Sequence, residues 1–415
     1  MKKSTAPKTI AIIGAGGRGQ MYATLIDQYR HLGQVVAVAE PRDKYRQAVA
    51  TAANLTLAMQ FKTWQEFVAQ PKLCDAVVIA TMDSDHKEPA VACLEKGYHL
   101  LLEKPLAPTL AECRAIEAAQ RKSGGIVAVC HSLRYQKGFG KLHELVAGGI
   151  VGEVVSIDQL ESVAHWHQAH SFVRGNWGNE GRSTFMLLAK SCHDIDFIAY
   201  LVGKPCLSVS SFGALSFFRK DHAPKGAPAR CTDGCPAEFE CPYSAYKTYV
   251  NTENRGEWPA NVVSFDHSPE AHLEAIRKGP YGRCVFRCDN DVVDHQVVAM
   301  SFENDITATF TMTAFAEGGR QIRVHGTKGE IKFTEGSIMV RTFADNNTTT
   351  IAMGQEAGGH GGGDNRVVRL WLMALQDGDD SRIVTNAQES LRTHTIVFAA
   401  EKSRLEKRTI DIADM

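Results

Sequence analysis

Thr9-Ile10-Ala11-Ile12-Ile13-Gly14-Ala15-Gly16-Gly17-Arg18-Gly19 is the stretch whose reading decides the fold. A short apolar run with no alternation, Ile10 to Ile13, stops at glycines. Such a run reads as a strand buried on both faces, as in a parallel sheet. Gly14, Gly16 and Gly19 stand at G-x-G-x-x-G spacing. The first allows a tight turn, the second lets a pyrophosphate approach the backbone, and the third lets the next helix pack close. That helix is expected to begin near Arg18, with its first N–H groups and positive dipole end facing the phosphates. Gly14, Ala15, Gly16, Gly17, Arg18 and Gly19 are therefore candidate cofactor contacts. A second apolar run, Val35 to Ala39, ends in Glu40. An acid there can accept hydrogen bonds from an adenosine ribose diol, and its charge favours NAD over NADP. Arg42 is the counterweight, either a partner for a 2′-phosphate or an exposed loop charge.

Strand and helix alternate onward from there. Asp75 to Ala80 reads as a third strand, with Thr81, Met82 and His86 in or next to the loop at its C-terminal end, where ligands bind in open α/β sheets. Tyr98 to Leu102 is a fourth and Ile126 to Cys130 a fifth, the last leading to His131-Ser132-Leu133-Arg134-Tyr135. Helices are expected over Tyr45 to Ala53, Glu88 to Lys96 and Leu110 to Arg121. This is an α/β fold beginning with a doubly wound parallel Rossmann sheet, over residues 1–133. From about Gly152 the pattern changes. Glu153 to Leu160, Leu207 to Phe212, Val292 to Phe302, Ile306 to Ala314, Gln321 to His325, Glu330 to Phe333 and Ser337 to Thr342 read as successive strands. Residues 134–415 are thus expected to form an α+β domain with a large, mostly antiparallel sheet, closed by a last helix, Ala387 to Arg404. A Cys- and Pro-rich insertion covers about residues 221–259.

Composition narrows the classes. The chain has 415 residues and a formal net charge of -1, which gives no basis for nucleic-acid or anionic-membrane binding. No apolar run approaches the roughly 18 residues of a membrane span. No signal-type segment follows the N-terminal lysines, so the protein is expected to be cytoplasmic. Its eleven cysteines are then expected to be thiols.

Gly97-Tyr98-His99-Leu100-Leu101-Leu102-Glu103-Lys104-Pro105-Leu106-Ala107 is similar to the G-x-H-V-x-x-E-K-P-L-A signature of the glucose–fructose oxidoreductase / inositol dehydrogenase family, Gfo/Idh/MocA. In that family the lysine lies beside the nicotinamide and helps bind and polarise the reacting hydroxyl, and the proline often follows a cis peptide. The resemblance implies these roles for Lys104 and Pro105. It places Glu103, Thr81, Met82, His86 and Arg134 among the cofactor contacts. Met82-Asp83 stands where the family has Pro-Asn. Leu187 to Asp196 resembles the family helix D-x-x-x-H-x-x-D, which makes His193 the residue that takes or gives the hydroxyl proton. Histidine suits that task because imidazole titrates near neutral pH. Ala189 occupies the place of the family aspartate one turn earlier. Lys190 and Asp194 are candidate substrate contacts, and Asp196 is either a further polar group of the site or a packing residue.

The segment Ser162 to Trp177 holds His165, Trp166, His167, His170, Arg174 and Trp177. Aromatic faces with polar edges suit a sugar ring, and Trp166, His167, His170 and Arg174 are expected to line the substrate pocket. H-x-H-x-x-H could also hold zinc, though no metal is expected. Cys231, Cys235 and Cys241, with Cys206, Cys284 or Cys288 as a fourth ligand, either bind zinc or are ordinary thiols. Asp294 and His295 either reach the pocket or bond across the sheet. Gly358 to Asp364 is too glycine-rich for regular structure and reads as a loop, either closing over the site, with His360, or linking two elements. The expected activity is NAD-dependent hydride transfer from a secondary hydroxyl of a sugar, cyclitol or glycoside. An NAD-dependent glycoside hydrolase working by oxidation and elimination, and a sugar- or NAD-sensing regulator, are the alternatives. A homodimer or homotetramer through the large sheet is the expected assembly.

Overall fold

The computed structural model describes residues 6–354 and 361–415. The strands are β1 Lys8–Ile13, β2 Gly33–Ala39, β3 Gln60–Phe61, β4 Ala76–Ile79, β5 His99–Leu102, β6 Val127–Val129, β7 Val154–Ser162, β8 Cys206–Ala214, β9 His295–Phe302, β10 Thr307–Thr313, β11 Gly319–Gly326, β12 Gly329–Thr334, β13 Ser337–Thr342, β14 Thr348–Ala352 and β15 Ile410–Asp411. Two compact units share them. The first comprises Met1–Glu153, Cys192–Lys204 and Gly336–Phe398, the second Val154–Ser191, Pro205–Glu335 and Ala399–Met415.

The first unit is built on a parallel sheet in the order β3-β2-β1-β4-β5-β6. Successive side chains of a strand point to opposite faces. Ile10 and Ile12 therefore enter one core with Tyr22, Val38, Val78, Leu101 and Trp371. Ala11 and Ile13 enter another with Val77, Ile79, Leu100 and Leu102. Both faces are covered, which is why β1 reads as an unbroken apolar run. The Gly17–Gln28 helix follows β1 directly. Two segments from far along the chain join this unit: the Cys192–Val202 helix and the Gly363–Asp377 helix. The second of these corrects the expectation of an irregular loop through Asp364. The helix begins at Gly363, capped by Gly362 in the left-handed region at φ 80°. Gly358, Gly359 and His360 lie outside the described residues.

The second unit carries the strands β12-β11-β7-β10-β9-β8-β15 in that order. Its pairings are antiparallel except β7 with β10, which run parallel. The sheet is thus mostly antiparallel, as expected, with one parallel pair. Buried and exposed residues alternate along β9 and β10, as a half-solvated sheet requires. The insertion packs into two small cores shared with neighbouring segments. Phe218, Ala227 and Tyr243 pack with Cys284, Val285 and Phe286, and Tyr249 and Ala260 pack against Ile276 of the Pro269–Lys278 helix. Strands β3, β14 and β15 escape the sequence pattern because two or five residues at a sheet edge carry too little periodicity.

Trp371 is fully buried in the first core. Trp371→Ala is expected to cost about 3–5 kcal/mol of stability, read as a lower midpoint in urea with unchanged strand content.

Candidate active site

The glycine loop has the shape a dinucleotide needs. Gly14 has φ +85°, and a Cβ on it would lie 2.6 Å from the Ala80 carbonyl oxygen. A Cβ on Gly19 would lie 1.9 Å from the Gly14 oxygen. These two glycines are demanded by the protein's own packing. At Gly17 a Cβ would meet nothing within 4 Å, and at Gly16 only the Arg42 guanidinium at 3.5 Å. That open side, at the start of the Gly17–Gln28 helix, is where a pyrophosphate fits. Glu40, almost fully buried, accepts the Ala15 N–H at 2.8 Å and the Arg42 Nε–H at 2.6 Å. Burial alone would raise the Glu40 carboxyl; its bonds to Arg42 and Ala15 hold it below the usual range.

Arg18 turns inward. It is ion-paired with Glu103 and donates two parallel bonds to Asp364, at 2.8 and 2.9 Å. Glu103 also accepts the Tyr22 hydroxyl at 2.6 Å and the Lys104 N–H at 3.0 Å. Burial would raise the Glu103 carboxyl, but Arg18, Tyr22 and Lys104 outweigh it and keep it low. Ser132 donates to Asp364 at 2.8 Å. Glu103 and Arg18, expected as cofactor contacts, thus hold the glycine-loop helix to the end of β5.

The Lys104–Pro105 bond is cis, and the turn around it is held from both sides. The fully buried His86 lies with Nδ1 2.8 Å from the Pro105 carbonyl oxygen. A carbonyl only accepts, so Nδ1 carries the proton. On the other side the Leu106 N–H donates to His394 Nε2 at 3.0 Å. That nitrogen is therefore unprotonated, consistent with a His394 held down to about 3 by burial and then by the neighbouring His131. Thr81 caps its own loop by donating to the Asp85 carbonyl at 3.0 Å, and Met82 is half-buried.

His193 and Asp194 are buried in the Cys192–Val202 helix. The edge of His131 stands against His193, with ring centroids 5.7 Å apart and planes at 88°. His131 meets His394 at 5.3 Å in the same way. Its Nδ1 is 3.9 Å from the Asp196 carboxylate. Arg134, expected as a cofactor contact, is engaged with that carboxylate through two bonds of 2.7 Å. Thr393 adds a third at 3.0 Å. Burial pushes the Asp196 carboxyl up, but Arg134 and His131 pull it further down, to about 2. Burial lowers His131 despite Asp196 beside it, with Arg134 and Lys104 acting in the same direction. Lys104 is also close enough to Cys192 and His394 to affect their titration. Lys104, His193, His131, His394 and Asp196 thus gather in the first unit.

The substrate candidates of the second unit divide. Trp166 and His167 are half-buried. His170 is buried, with Nδ1 2.8 Å from the Tyr249 hydroxyl, and burial holds it down to about 3. Arg174, expected as an anion anchor, is buried and engaged elsewhere. Its Nε donates to the Arg283 carbonyl at 2.7 Å and its Nη2 to the Tyr243 carbonyl at 2.6 Å. Two main-chain carbonyls take these donors, only Tyr243 lying in the insertion. Lys190 is 2.6 Å from Glu161, which Arg320 also holds at 2.9 Å. Asp294 accepts two N–H groups, from Ser216 and Phe217, at 2.9 and 2.7 Å, a turn-fixing role. The cysteines are all thiols. Cys231, Cys235, Cys241 and Cys284 line one cavity of about 20 Å³ with Arg174. Among the described residues no three His, Cys, Asp or Glu side chains are grouped to hold a metal.

Sequence reading missed Tyr22, His131, Asp364 and His394. Two of them left a trace, His131 at the end of the fifth strand and Asp364 as the acid ending a glycine run.

A dinucleotide-binding loop, a lysine on a clamped turn and buried histidines beside it define an NAD(P)-binding oxidoreductase. Residues 8–131 match the model of an oxidoreductase family with an NAD-binding Rossmann fold, and residues 143–412 match that family's C-terminal alpha/beta domain. The chain belongs to this Gfo/Idh/MocA family. YteT of Bacillus subtilis (strain 168), designated an oxidoreductase, is 24% identical over 359 residues, 82% of each chain. Inositol 2-dehydrogenase of Corynebacterium glutamicum (strain R) is 29% identical over 202 residues, 48% of this chain and 56% of that one. Levoglucosan dehydrogenase in complex with NADH superposes with a TM-score of 0.71 at 18% identity, covering 98% of this chain and 99% of that one. This likeness shows the fold. Among the described residues no helix is long and apolar enough to cross a membrane.

The neutral histidines set a pH dependence. His131 and His394 sit below the ordinary value of 6.5 in the folded chain. The unfolded chain therefore binds protons that the folded chain refuses, and stability is lost as the pH falls below about 6.5. Each such group contributes a slope of about 1.4 kcal/mol per pH unit over that window. His394→Gln, whose amide oxygen can still accept from Leu106, is expected to flatten the decline. Urea unfolding at intervals from pH 7 to pH 5 reads it.

Proposed function

We propose that this protein is an NAD-dependent oxidoreductase that moves a hydride between the nicotinamide and a secondary hydroxyl of a sugar, cyclitol or glycoside. The observation that carries the reading is the clamped Lys104–Pro105 turn, with Lys104 near the helix that bears His193. Gly14, Ala15, Gly16, Gly17 and Gly19 hold the pyrophosphate, and Glu40 takes the ribose diol. The nicotinamide, when bound, accepts or returns the hydride. Lys104 Nζ holds the carbinol oxygen and stabilises negative charge on it. His193 takes the hydroxyl proton on oxidation and returns it on reduction. His131 lies against His193, and Asp196 lies beside His131. Relatives named inositol 2-dehydrogenase and 1,5-anhydro-D-fructose reductase support a polyol or sugar as substrate.

The test is a panel of sugars, cyclitols and aryl glycosides with NAD or NADP, following NADH and released aglycone together. Stoichiometric NADH is expected. Lys104→Ala and His193→Ala are each expected to lower kcat/KM about 10²–10⁴-fold while still binding NAD. Full activity in Lys104→Ala overturns the assignment. Aglycone release without net NADH replaces it with the oxidation–elimination glycosidase, and NAD binding with no turnover points to the sensor.

The assembly proposed is a homodimer or homotetramer through the sheet of the second unit. Phe212 and Val297 are register neighbours on β8 and β9 and are 69% and 42% exposed. A cross-strand apolar pair facing solvent suits an interface. Phe212→Glu is expected to reduce the mass measured by light scattering to that of the monomer, 45.5 kDa.

A further inference from the structure

Among the described residues, five cationic side chains line one cavity of about 370 Å³ in the second unit: Arg174, Arg182, Arg230, Lys278 and Arg283. One acid, Asp289, lines it with them. The whole chain has a formal net charge of -1, so this excess of positive charge is local. The cations arrive from separate segments. Arg174 ends the π-helical turn Gln168–Arg174, and Arg230 lies in the insertion. Lys278 ends the Pro269–Lys278 helix, and Arg283 follows the short turn Pro280–Gly282. Like charges held around one cavity repel one another, and an anion between them relieves the repulsion.

Asp289 does not neutralise the group. Its Oδ1 accepts from Arg283 Nη1 at 2.7 Å, and its Oδ2 is ion-paired with Arg182. Arg182 and Arg283 hold its carboxyl well below the usual carboxylate range. Both of its oxygens are thus taken, and Arg174 and Arg230 rest on neutral partners. Arg174 is almost fully buried, with its donors on the Arg283 and Tyr243 carbonyls. Arg230 Nη2 donates to the Ile276 carbonyl at 2.7 Å and also to the Gly279 carbonyl, at the end of the Pro269–Lys278 helix. Carbonyls at a helix end carry partial negative charge, but they are not anions. Arg230 Nε is buried with no hydrogen-bond partner among the described residues, which is costly for a donor on a cation. Lys278 meets Glu274 at 2.5 Å, but its side chain is 79% exposed. Such a surface pair is weak and exchanges readily.

We propose that this cavity binds the tetrahedral oxyanion of a small phosphorylated or sulfated molecule. A phosphoryl group carries nearly two charges and three acceptor oxygens, so it can meet guanidinium groups arriving from different sides. A carboxylate offers a single edge, and Asp289 already gives that edge to Arg182 and Arg283. The cavity has the volume of a small-molecule cleft, which leaves room for the rest of the ligand.

Occupancy is read without turnover, so the site stands or falls apart from the proposed activity. The full-length protein, saturated with NAD to fill the glycine loop, is titrated with inorganic phosphate, sulfate, glycerol 3-phosphate and acetate at constant ionic strength. Calorimetry gives the affinity, and a raised melting temperature reports the same binding. Phosphate or sulfate is expected to bind, and acetate about tenfold more weakly. Glycerol 3-phosphate bound more tightly than phosphate assigns a phosphorylated ligand, and sulfate bound most tightly assigns a sulfated one. Arg230→Ala is expected to weaken binding about ten- to a hundredfold, and Lys278→Glu about fivefold. Asp289→Asn removes the competing carboxylate and is expected to tighten binding about tenfold, a gain that damage to the fold does not produce. If Arg230→Ala fails to fold, the other two variants decide. No oxyanion bound by the unaltered protein, affinity unchanged in Lys278→Glu and Asp289→Asn, or acetate bound as tightly as phosphate overturns the site.

Discussion

The Glu103 carboxylate is the group on which the first unit depends. It sits almost fully buried at the end of β5, where an ionised carboxylate is unstable without partners. Arg18, the Tyr22 hydroxyl and the Lys104 N–H supply them. Arg18 cannot serve one acid alone without leaving donors idle, and Asp364 takes the rest of its guanidinium. One carboxylate thereby joins the glycine-loop helix, the β5 turn and the Gly363–Asp377 helix. An exposed ion pair contributes at most about 1 kcal/mol, but removing one member of a buried pair costs about 3–5. The network is therefore stiff where Lys104 begins, and Lys104 inherits its direction from the residue before it.

A second balance governs the histidines. Asp196 is near enough to His131 to favour its protonation, and burial disfavours it. Burial wins because Arg134 already neutralises Asp196 through two short bonds. The same arithmetic leaves His394 unprotonated, and only an unprotonated Nε2 can accept from Leu106. The clamp on the Lys104–Pro105 turn thus needs neutral imidazole on one side and an Nδ1 proton on the other, from His86. His86 and His394 thus hold defined tautomers through the backbone groups they meet.

The glycine loop and the E-K-P turn were legible because their chemistry is local. Each needs a few residues at fixed spacing, and a strand that ends there. Asp364 was not legible, since it lies 346 positions from Arg18 and follows a glycine run that argues for a loop. Arg134 and Arg174 both find their partners inside the fold. An arginine near a site suggests an anion, but a buried guanidinium is satisfied equally well by an internal carboxylate or by carbonyl oxygens. Nothing in the neighbouring sequence reports which one the fold supplies. The parallel pairing of β7 with β10 was hidden likewise. Alternation tells which face is buried, and the direction of the neighbouring strand is set by elements more than a hundred residues away.

The Glu40–Arg42 pair explains why the dinucleotide proposed is NAD. Glu40 is buried and bonded to the loop through Ala15, whereas the Arg42 side chain is 56% exposed and lies over Tyr45 at 3.9 Å. A ribose diol can replace Arg42 on Glu40 by exchanging hydrogen bonds of one kind for another, and the displaced guanidinium returns to water. A 2′-phosphate would have to draw Arg42 away and set its own charge against a buried carboxylate that had just lost its cation. The first exchange is close to neutral. The second leaves two like charges together at low solvation, which is the costlier arrangement.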